Sequence, residues 1–345
     1  MDEGWRLDEQ QWRGWVAALV ASGRRVIAPT GDGGLVLFRT TGSADGIRVD
    51  GFGNTRWSPK EHLFPQSEAL FSYRMLGNDV TIEPSPPGRE EQVLFGVRPC
   101  DAAGLARLDE MFMNPRPDEL YAARRARTAV VTFACDSARP ECFCTAVGGS
   151  PGGTEGADVQ MVRLDSGWLV RALTAKGFEV VEPAAGGWPA ASEHDWEAAA
   201  EAWERVEAGI ARSSLSADVP AALAGAFDRP LWDLVAERCL GCGICAYVCP
   251  SCSCFDIADE ASARCGTRCR SWDTCGFASF TKHASGHNPR ATQPARYRQR
   301  VLHKFAYFPL EHENRFMCVG CGRCVALCPV GLDVHRSVET LVGGR

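Results

Sequence analysis

The sequence contains no long apolar run and no secretion-type N-terminus. No stretch of about 18 apolar residues occurs in the 345-residue chain, so no segment is expected to span a membrane. Residues 1–10 are acidic and lack the apolar core of a signal peptide. Also missing are a G-x-G-x-x-G turn after a strand, a P-loop and a convincing pair of nucleophile and base. The chain is therefore expected to be cytoplasmic, with no substrate-converting centre of its own.

The net charge, the cysteine content and the length also limit which partners, compartment and domain number are expected. A net charge of −6 gives no reason to expect binding to nucleic acid. The chain has 17 cysteines, which are most compatible with a reducing compartment where thiols remain available to metals. At this length we expect two or three domains.

Eight of the cysteines form two copies of the motif C-x2-C-x2-C-x3-C-P. This spacing is typical of [4Fe-4S] clusters and therefore of electron transfer, and in two-cluster ferredoxins the fourth cysteine of each run binds the other cluster. Zinc and disulfides are the alternatives, but zinc knuckles use two cysteine pairs and need no third cysteine or final Cys-Pro. The first predicted cluster would be held by Cys239, Cys242, Cys245 and Cys328. The second would be held by Cys318, Cys321, Cys324 and Cys249.

Four more cysteines occur where two predicted buried strands end, over residues 93–97 and 129–134. Ligand sites in α/β domains are formed at such strand ends. We therefore predict a third [4Fe-4S] site, with structural thiols and zinc as the alternatives. Its ligands would be Cys100, Cys135, Cys142 and Cys144.

The remaining cysteines and two histidines have weaker patterns. Packing beside the first cluster is the simplest expectation for the two cysteines that closely follow the first motif. His283 and His287 have the spacing of helical metal ligands, but Gly286 and Pro289 break the helix, which favours a structural role. No role is assigned to the five cysteines Cys252, Cys254, Cys265, Cys269 and Cys275.

The pattern of elements predicts an α+β chain. A helix over residues 8–22 with Asp8 as its N-cap, a strand pair around residues 165–167 and a strand over residues 178–181 indicate a mixed α/β domain at 1–185. Residues 186–229 are expected to form a linker and a bridging helix. Residues 230–345 are expected to form an α-helical ferredoxin-like domain with the two [4Fe-4S] motifs, because the insert between the motifs is polar with helical stretches.

Several segments outside the cysteine runs resemble one protein family. They include Ser-Pro-Lys-Glu-His at residues 58–62, Arg-Pro-Cys-Asp at 98–101, Cys-Phe-Cys at 142–144, Cys-Pro-Ser-Cys-Ser-Cys-Phe-Asp at 249–256 and Gly-His-Asn-Pro-Arg at 286–290. On these segments the chain resembles the iron-sulfur β subunit of cytoplasmic sulfhydrogenases, which are NAD(P)-linked [NiFe] hydrogenases. The electron-transfer subunit of anaerobic sulfite reductase is a related protein. The pair Cys265 and Cys269 does not belong to the family pattern.

The resemblance implies an electron-transfer subunit of an oxidoreductase complex. A partner would carry FAD and bind NAD(P), and small and large [NiFe] hydrogenase subunits, or a sirohaem sulfite reductase subunit, would carry the terminal chemistry. Arg323, inside the second run, is expected to stabilise the reduced second cluster. A redox-sensing iron-sulfur protein is the alternative from another class, but no DNA-reading element is visible.

Overall fold

The computed structural model describes residues 4–32 and 34–343. Eleven strands and twelve helices occur in these residues, together with two short 3-10 helices and one π-helical turn at His303–Tyr307. The strands are β1 (Gly4–Leu7), β2 (Arg25–Asp32), β3 (Leu35–Thr41), β4 (Ser67–Leu76), β5 (Asp79–Pro84), β6 (Gln92–Val97), β7 (Thr128–Phe133), β8 (Val159–Leu164), β9 (Gly167–Ala172), β10 (Phe255–Ala261) and β11 (Cys265–Trp272).

The helices are concentrated on the faces of the larger sheet and in the C-terminal third. They are α1 (Glu9–Ala21), α2 (Pro99–Met113), α3 (Glu119–Ala126), α4 (Ala175–Ala185), α5 (Glu193–Ala208), α6 (Val219–Gly225), α7 (Leu231–Ala236), α8 (Ile244–Tyr247), α9 (Gln293–Leu302), α10 (Phe308–Glu311), α11 (Arg323–Ala326) and α12 (Val334–Gly343). In the described part of the chain, no helix combines the length and apolar character needed to cross a bilayer.

The larger sheet has seven strands in the order β1-β9-β8-β7-β6-β2-β3. Strands β2, β6, β7 and β8 are parallel neighbours, and antiparallel strands complete both edges. The buried strands β6 and β7 have no exposed residue, as expected for the centre of a parallel sheet. The predicted mixed α/β character of the N-terminal part is therefore confirmed.

Local sequence signals account for several elements. Asp8 accepts a hydrogen bond from the backbone N–H of Gln11 at 2.7 Å and forms the predicted N-cap of α1, in a reciprocal capping box. Helix α2 begins at Pro99, directly after β6, where proline is well suited to the first turn. The predicted strand pair around residues 165–167 is present as β8 and β9.

Two sequence-based expectations differ from the structure. The predicted strand over residues 178–181 is wrong, because these residues lie in α4, where the Thr174 hydroxyl accepts from Gly177 N and caps the helix. The insert between the cysteine runs contains α9, but it also contains the hairpin β10–β11, which the helical expectation did not include.

The hairpin ties the two halves of the chain together. Strand β11 pairs with β4, and the second sheet therefore has the order β10-β11-β4-β5. Trp272, at the end of β11, packs into the same core cluster as Phe64 and Phe112 of the N-terminal part. Phe143 packs in turn among the C-terminal helices. Residues from both sides of the expected boundary at 229/230 consequently share sheets and cores.

Candidate functional site

The two cysteine runs fold into the same local structure. Each is a loop that leads into a four-residue helix, α8 in the first run and α11 in the second. Four glycines in these loops have positive φ, which side chains disfavour: Gly241 (66°), Gly243 (77°), Gly320 (64°) and Gly322 (73°). The repeated motif thus specifies a repeated backbone conformation.

The first cysteine group consists of Cys239, Cys242, Cys245 and Cys328. All four line one cavity, although Cys328 belongs to the second run. Gln293 Nε2 donates a hydrogen bond to Cys239 Sγ at 3.1 Å, and Leu332 N donates to Cys328 Sγ at 3.2 Å. Cys242 is exposed, so this group lies at the protein surface.

The second cysteine group consists of Cys318, Cys321, Cys324 and Cys249. Burial raises the pKa of the first three thiols above the usual value, and Cys249 is among the neighbouring thiols that raise it further. The pKa of Cys249 itself is lowered by a hydrogen bond from Cys252 and by the positive charges of Lys304 and Arg300, against the effect of burial. These charge effects indicate that the last cysteine of the first run lies near the cysteines of the second run.

The third cysteine group consists of Cys100, Cys135, Cys142 and Cys144. Cys100 lies in the first turn of α2, which follows β6, and Cys135 lies two positions after the last residue of the neighbouring parallel strand β7. Because parallel neighbours end at the same sheet edge, the two cysteines come together there. The other two lie in the loop that precedes the 3-10 helix at Thr145–Val147.

The thiols of the third group influence one another electrostatically. Burial raises the pKa of Cys135 to about 11 and that of Cys144 to about 12. Charge on Cys142 raises both values further. Cys135 also contributes to the raised pKa of Cys100, after burial, Asp101 and Cys321.

The third group adjoins the second through two polar links. Asn54 Nδ2 donates to the backbone oxygen of Cys321 at 2.7 Å, and the Cys100 thiol lies 3.8 Å from Asn54 Oδ1. Phe143 N donates to Gly320 O at 2.9 Å. The loop of the third group is thus hydrogen-bonded directly to the second run.

Arg323 is buried and ion-paired. Its guanidinium donates to both carboxylate oxygens of Asp101 and to Thr55. Asp101 belongs to the Arg-Pro-Cys-Asp segment and directly follows Cys100. Arg323 therefore connects the second and third groups, and its charge is balanced by a carboxylate.

The five other cysteines separate into two sets. Cys252 accepts a hydrogen bond from Arg300 Nη1 at 3.4 Å, and a thiol contact between Cys254 and Cys275 lowers the pKa of Cys254 to about 6. Cys265 and Cys269 lie on β11. Within residues 4–32 and 34–343, no three His, Cys, Asp or Glu side chains converge as ligands of a single metal ion. His283 and His287 lie in an exposed loop with ring centroids 5.3 Å apart.

Sequence reasoning gave no role to Lys60 and favoured a solvent-exposed face for the basic stretch 290–304, with an acidic partner or the charge of a cluster as the alternative. Lys60 lies in the Pro-Lys-Glu segment, which the resemblance singled out without a role. Arg300 and Lys304 lie in the basic stretch 290–304, which contains no acidic residue. These two side chains are buried beside the first run, where Arg300 Nη2 donates to Cys245 O at 2.7 Å and Lys304 Nζ donates to Ser251 Oγ at 3.0 Å. The absence of acidic residues from this stretch was the sequence signal that could have indicated buried cations beside the cysteines.

Comparison with known proteins agrees with this architecture. Residues 238–332 match the family model of a 4Fe-4S dicluster domain. The chain is similar to the sulfhydrogenase 2 subunit beta of Pyrococcus furiosus, with 32% identity over 323 residues that cover 93% of each protein. The family resemblance stated from the sequence is thereby confirmed. The chain belongs to the family of sulfhydrogenase beta subunits and carries a 4Fe-4S dicluster domain in its C-terminal third.

Proposed function

We propose that this chain is the electron-transfer subunit of a cytoplasmic [NiFe] hydrogenase or sulfur reductase complex. It would relay single electrons between a subunit that binds flavin and NAD(P) and the small and large hydrogenase subunits. The observation that carries the proposal is the cavity in which Cys328 joins the three leading cysteines of the first run. Family membership supports the same class of oxidoreductase.

The first and second cysteine groups are proposed to hold one [4Fe-4S] cluster each. Such a cluster, when bound, takes up and releases one electron at a time. The residues fit this group: each set offers four thiols, and both loops have the glycine conformations that let the backbone approach closely. N–H groups of Gln293 and Leu332 already point at sulfur, and hydrogen bonds to sulfur tune cluster potentials.

Buried positive charge also fits anionic clusters. Lys60, Arg300 and Lys304 surround the first run, and cysteines are the main source of negative charge around each of them. A buried cation is costly unless it is paired with negative charge. Thiolate-bound clusters would supply that charge.

The third cysteine group is proposed to hold a third [4Fe-4S] cluster. Support comes from the common sheet edge of β6 and β7 and from the mutual electrostatic effects of the four thiols. Replacing both Cys142 and Cys144 by serine should remove about four irons per chain, because each cubane contains four. The matched control is Cys265→Ser, which changes an exposed thiol on β11 and should leave the iron content unchanged. Full iron content in the double variant would contradict the third site.

The second group adjoins both of the other groups, and we propose that the three form a row through the protein. Cys324 lines the cavity of the first group, and Asn54 joins the second group to the third. Because Cys242 is exposed, the first group marks one end of the row. We propose this row as the route between the two partner subunits.

Metal analysis of the native complex tests the proposed assembly. The complex is purified anaerobically, and nickel, iron and sirohaem are measured together with the identity of each subunit. Nickel and a flavin-bearing partner are expected. Sirohaem without nickel would instead assign the chain to the sulfite reductase alternative.

A further inference from the structure

Three buried cations lie around residues 245–252, which include Cys245 of the first group and Cys249 of the second. Lys60, Arg300 and Lys304, named here the cation triad, are 2%, 6% and 3% exposed. They come from different elements: the 3-10 helix at Pro59–His62, helix α9 and the π-helical turn that follows α9. π-helical turns are often found at functional sites.

Each cation contacts residues 245–252. Lys60 Nζ donates to the backbone oxygens of Ala246 and Cys252, at 3.2 and 3.0 Å, and lies 4.1 Å from the centre of the Trp272 ring. Arg300 and Lys304 come from the C-terminal part of the chain. Arg300 donates to Cys245 and Cys252, and Lys304 donates to Ser251. The triad therefore lies between the first and second groups.

No carboxylate balances the triad. In the part of the chain that the structure describes, its hydrogen bonds go only to backbone oxygens, one serine hydroxyl and one cysteine sulfur. This distinguishes it from Arg323, whose charge is balanced by Asp101. Burying three unpaired cations would be strongly unfavourable without an anion, and the thiolate groups are the anions within reach.

We propose that the cation triad, rather than Arg323, holds the reduction potentials of the first and second clusters high. The inference rests on the proposed function, because it assumes a cluster in each group. An added electron makes a cluster more negative, and a fixed buried cation stabilises that state. In a water-poor interior this attraction is screened much less than at the surface.

The triad should act unequally on the two clusters. Lys304 Nζ donates to Ser251 Oγ, which lies 3.5 Å from Cys249 Sγ of the second group. Arg300 donates to the backbone oxygen of Cys245 of the first group, and it lines the same cavity as Cys324 of the second. Lys304 is therefore assigned mainly to the second cluster, and Arg300 to both. Among the described residues, Lys60 donates only to backbone oxygens and lies over the Trp272 ring, so the test uses the other two cations.

The experiment is a redox titration of the anaerobically purified complex, followed by electron paramagnetic resonance. Lys304→Met introduces an unbranched side chain of similar length that carries no charge. It should disfavour one-electron reduction of the second cluster at least tenfold, which is a fall of about 59 mV or more. Arg300→Met should lower both potentials. Lys304→Arg, which keeps the positive charge, should leave the potential of the second cluster close to the wild-type value. If Lys304 only filled space, the potential would not depend on whether its replacement is charged.

Lys282→Met is the matched control, because Lys282 is an exposed lysine on the loop before α9. It should leave both potentials unchanged. If Lys304→Met does not accumulate with full iron, Lys304→Gln, which retains a donor towards Ser251, provides the same comparison. Intact clusters with unshifted potentials in the Lys304 and Arg300 variants would overturn the inference alone. Absence of iron-sulfur signals from the wild-type complex would instead overturn the proposed function.

Discussion

Arg323 and Asp101 form a buried two-pronged ion pair between the second and third cysteine groups. Nη1 lies 2.5 Å from Oδ1 and Nη2 lies 2.7 Å from Oδ2. Both side chains are almost completely buried. The two charges of this pair nearly cancel. The pair therefore links two parts of the chain but adds little electrostatic potential at the cysteine groups.

This pair gives the first prediction. Arg323→Gln leaves the Asp101 carboxylate buried and alone, which should lower the potential of the second cluster and cost about 3–5 kcal/mol of stability. Asp101→Asn leaves the buried Arg323 charge without a carboxylate partner and should raise the potential of the second cluster. The double variant restores neutrality, and its potential should return close to the wild-type value. Redox titration of the three variants measures this, and a double variant as low as Arg323→Gln would contradict the charge balance.

The exchange of the last cysteines gives the second prediction. Cys328→Ser should alter the same spectroscopic cluster as Cys239→Ser, because both side chains line one cavity. Cys249→Ser should alter the same cluster as Cys318→Ser. Electron paramagnetic resonance of the four single variants makes the comparison, with each pair serving as a control for the other. If Cys328→Ser instead matched Cys318→Ser, each run would hold its own cluster.

The contact between the second run and the third group gives the third prediction. A Cβ atom at Gly320 would lie 2.5 Å from the backbone N and Cα of Cys144, and neither can move aside easily. Gly331 has nearly the same φ, 65°, but its Cβ would meet no atom within 4 Å. Gly331→Ala should therefore cost only the backbone penalty of about 1–2 kcal/mol.

Gly320→Ala should cost clearly more than that, and it should also release iron from the third group. Chemical denaturation and iron analysis under anaerobic conditions compare the two variants. Equal stabilities would mean that the tight contact between Gly320 and Cys144 does not constrain the protein.

His62 gives a prediction for pH dependence. Its Nε2 atom is buried without a hydrogen-bond partner, and burial, reinforced by the charge of Arg25, lowers its pKa to about 4. An unfolded histidine takes up a proton below about pH 6.5, whereas His62 in the folded protein stays neutral. Stability from this group is therefore present above pH 6.5 and is lost as the pH falls towards 4.

Between pH 7.5 and 5.5 the loss from His62 should be about 1 kcal/mol. His62→Gln should remove this part of the pH dependence while other groups retain theirs. Denaturation midpoints of the wild type and the variant at the two pH values measure it. If the midpoint falls between pH 7.5 and 5.5 by as much in His62→Gln as in the wild type, His62 does not stay neutral in the folded state.

Local sequence was a good guide where neighbouring residues specify the structure. The Asp8 cap, the strand–helix unit of β6 and α2, and the loops of both cysteine runs depend on residues only a few positions apart. Residues 178–181 were misread because a short apolar run does not distinguish a strand from a helix. Thr174, four residues earlier, was the signal for a helix start.

The hairpin β10–β11 could not be predicted in the same way. Six of the seven residues of β10 are exposed, β11 is mostly half-buried, and the sheet partner β4 lies about 200 positions earlier in the chain. The pairing register is set by that distant strand. No periodicity within the insert reports it.

The spacing of the cysteines alone was enough to predict two [4Fe-4S] motifs and their loops, because three thiols and two glycines within eight residues determine one local conformation. The charges around those thiols were decided only by the folded chain. Lys60 meets Cys252 across 192 positions, and Arg323 meets Asp101 across 222. Such contacts depend on how sheets and helices pack, and that packing sets which cation lacks a carboxylate.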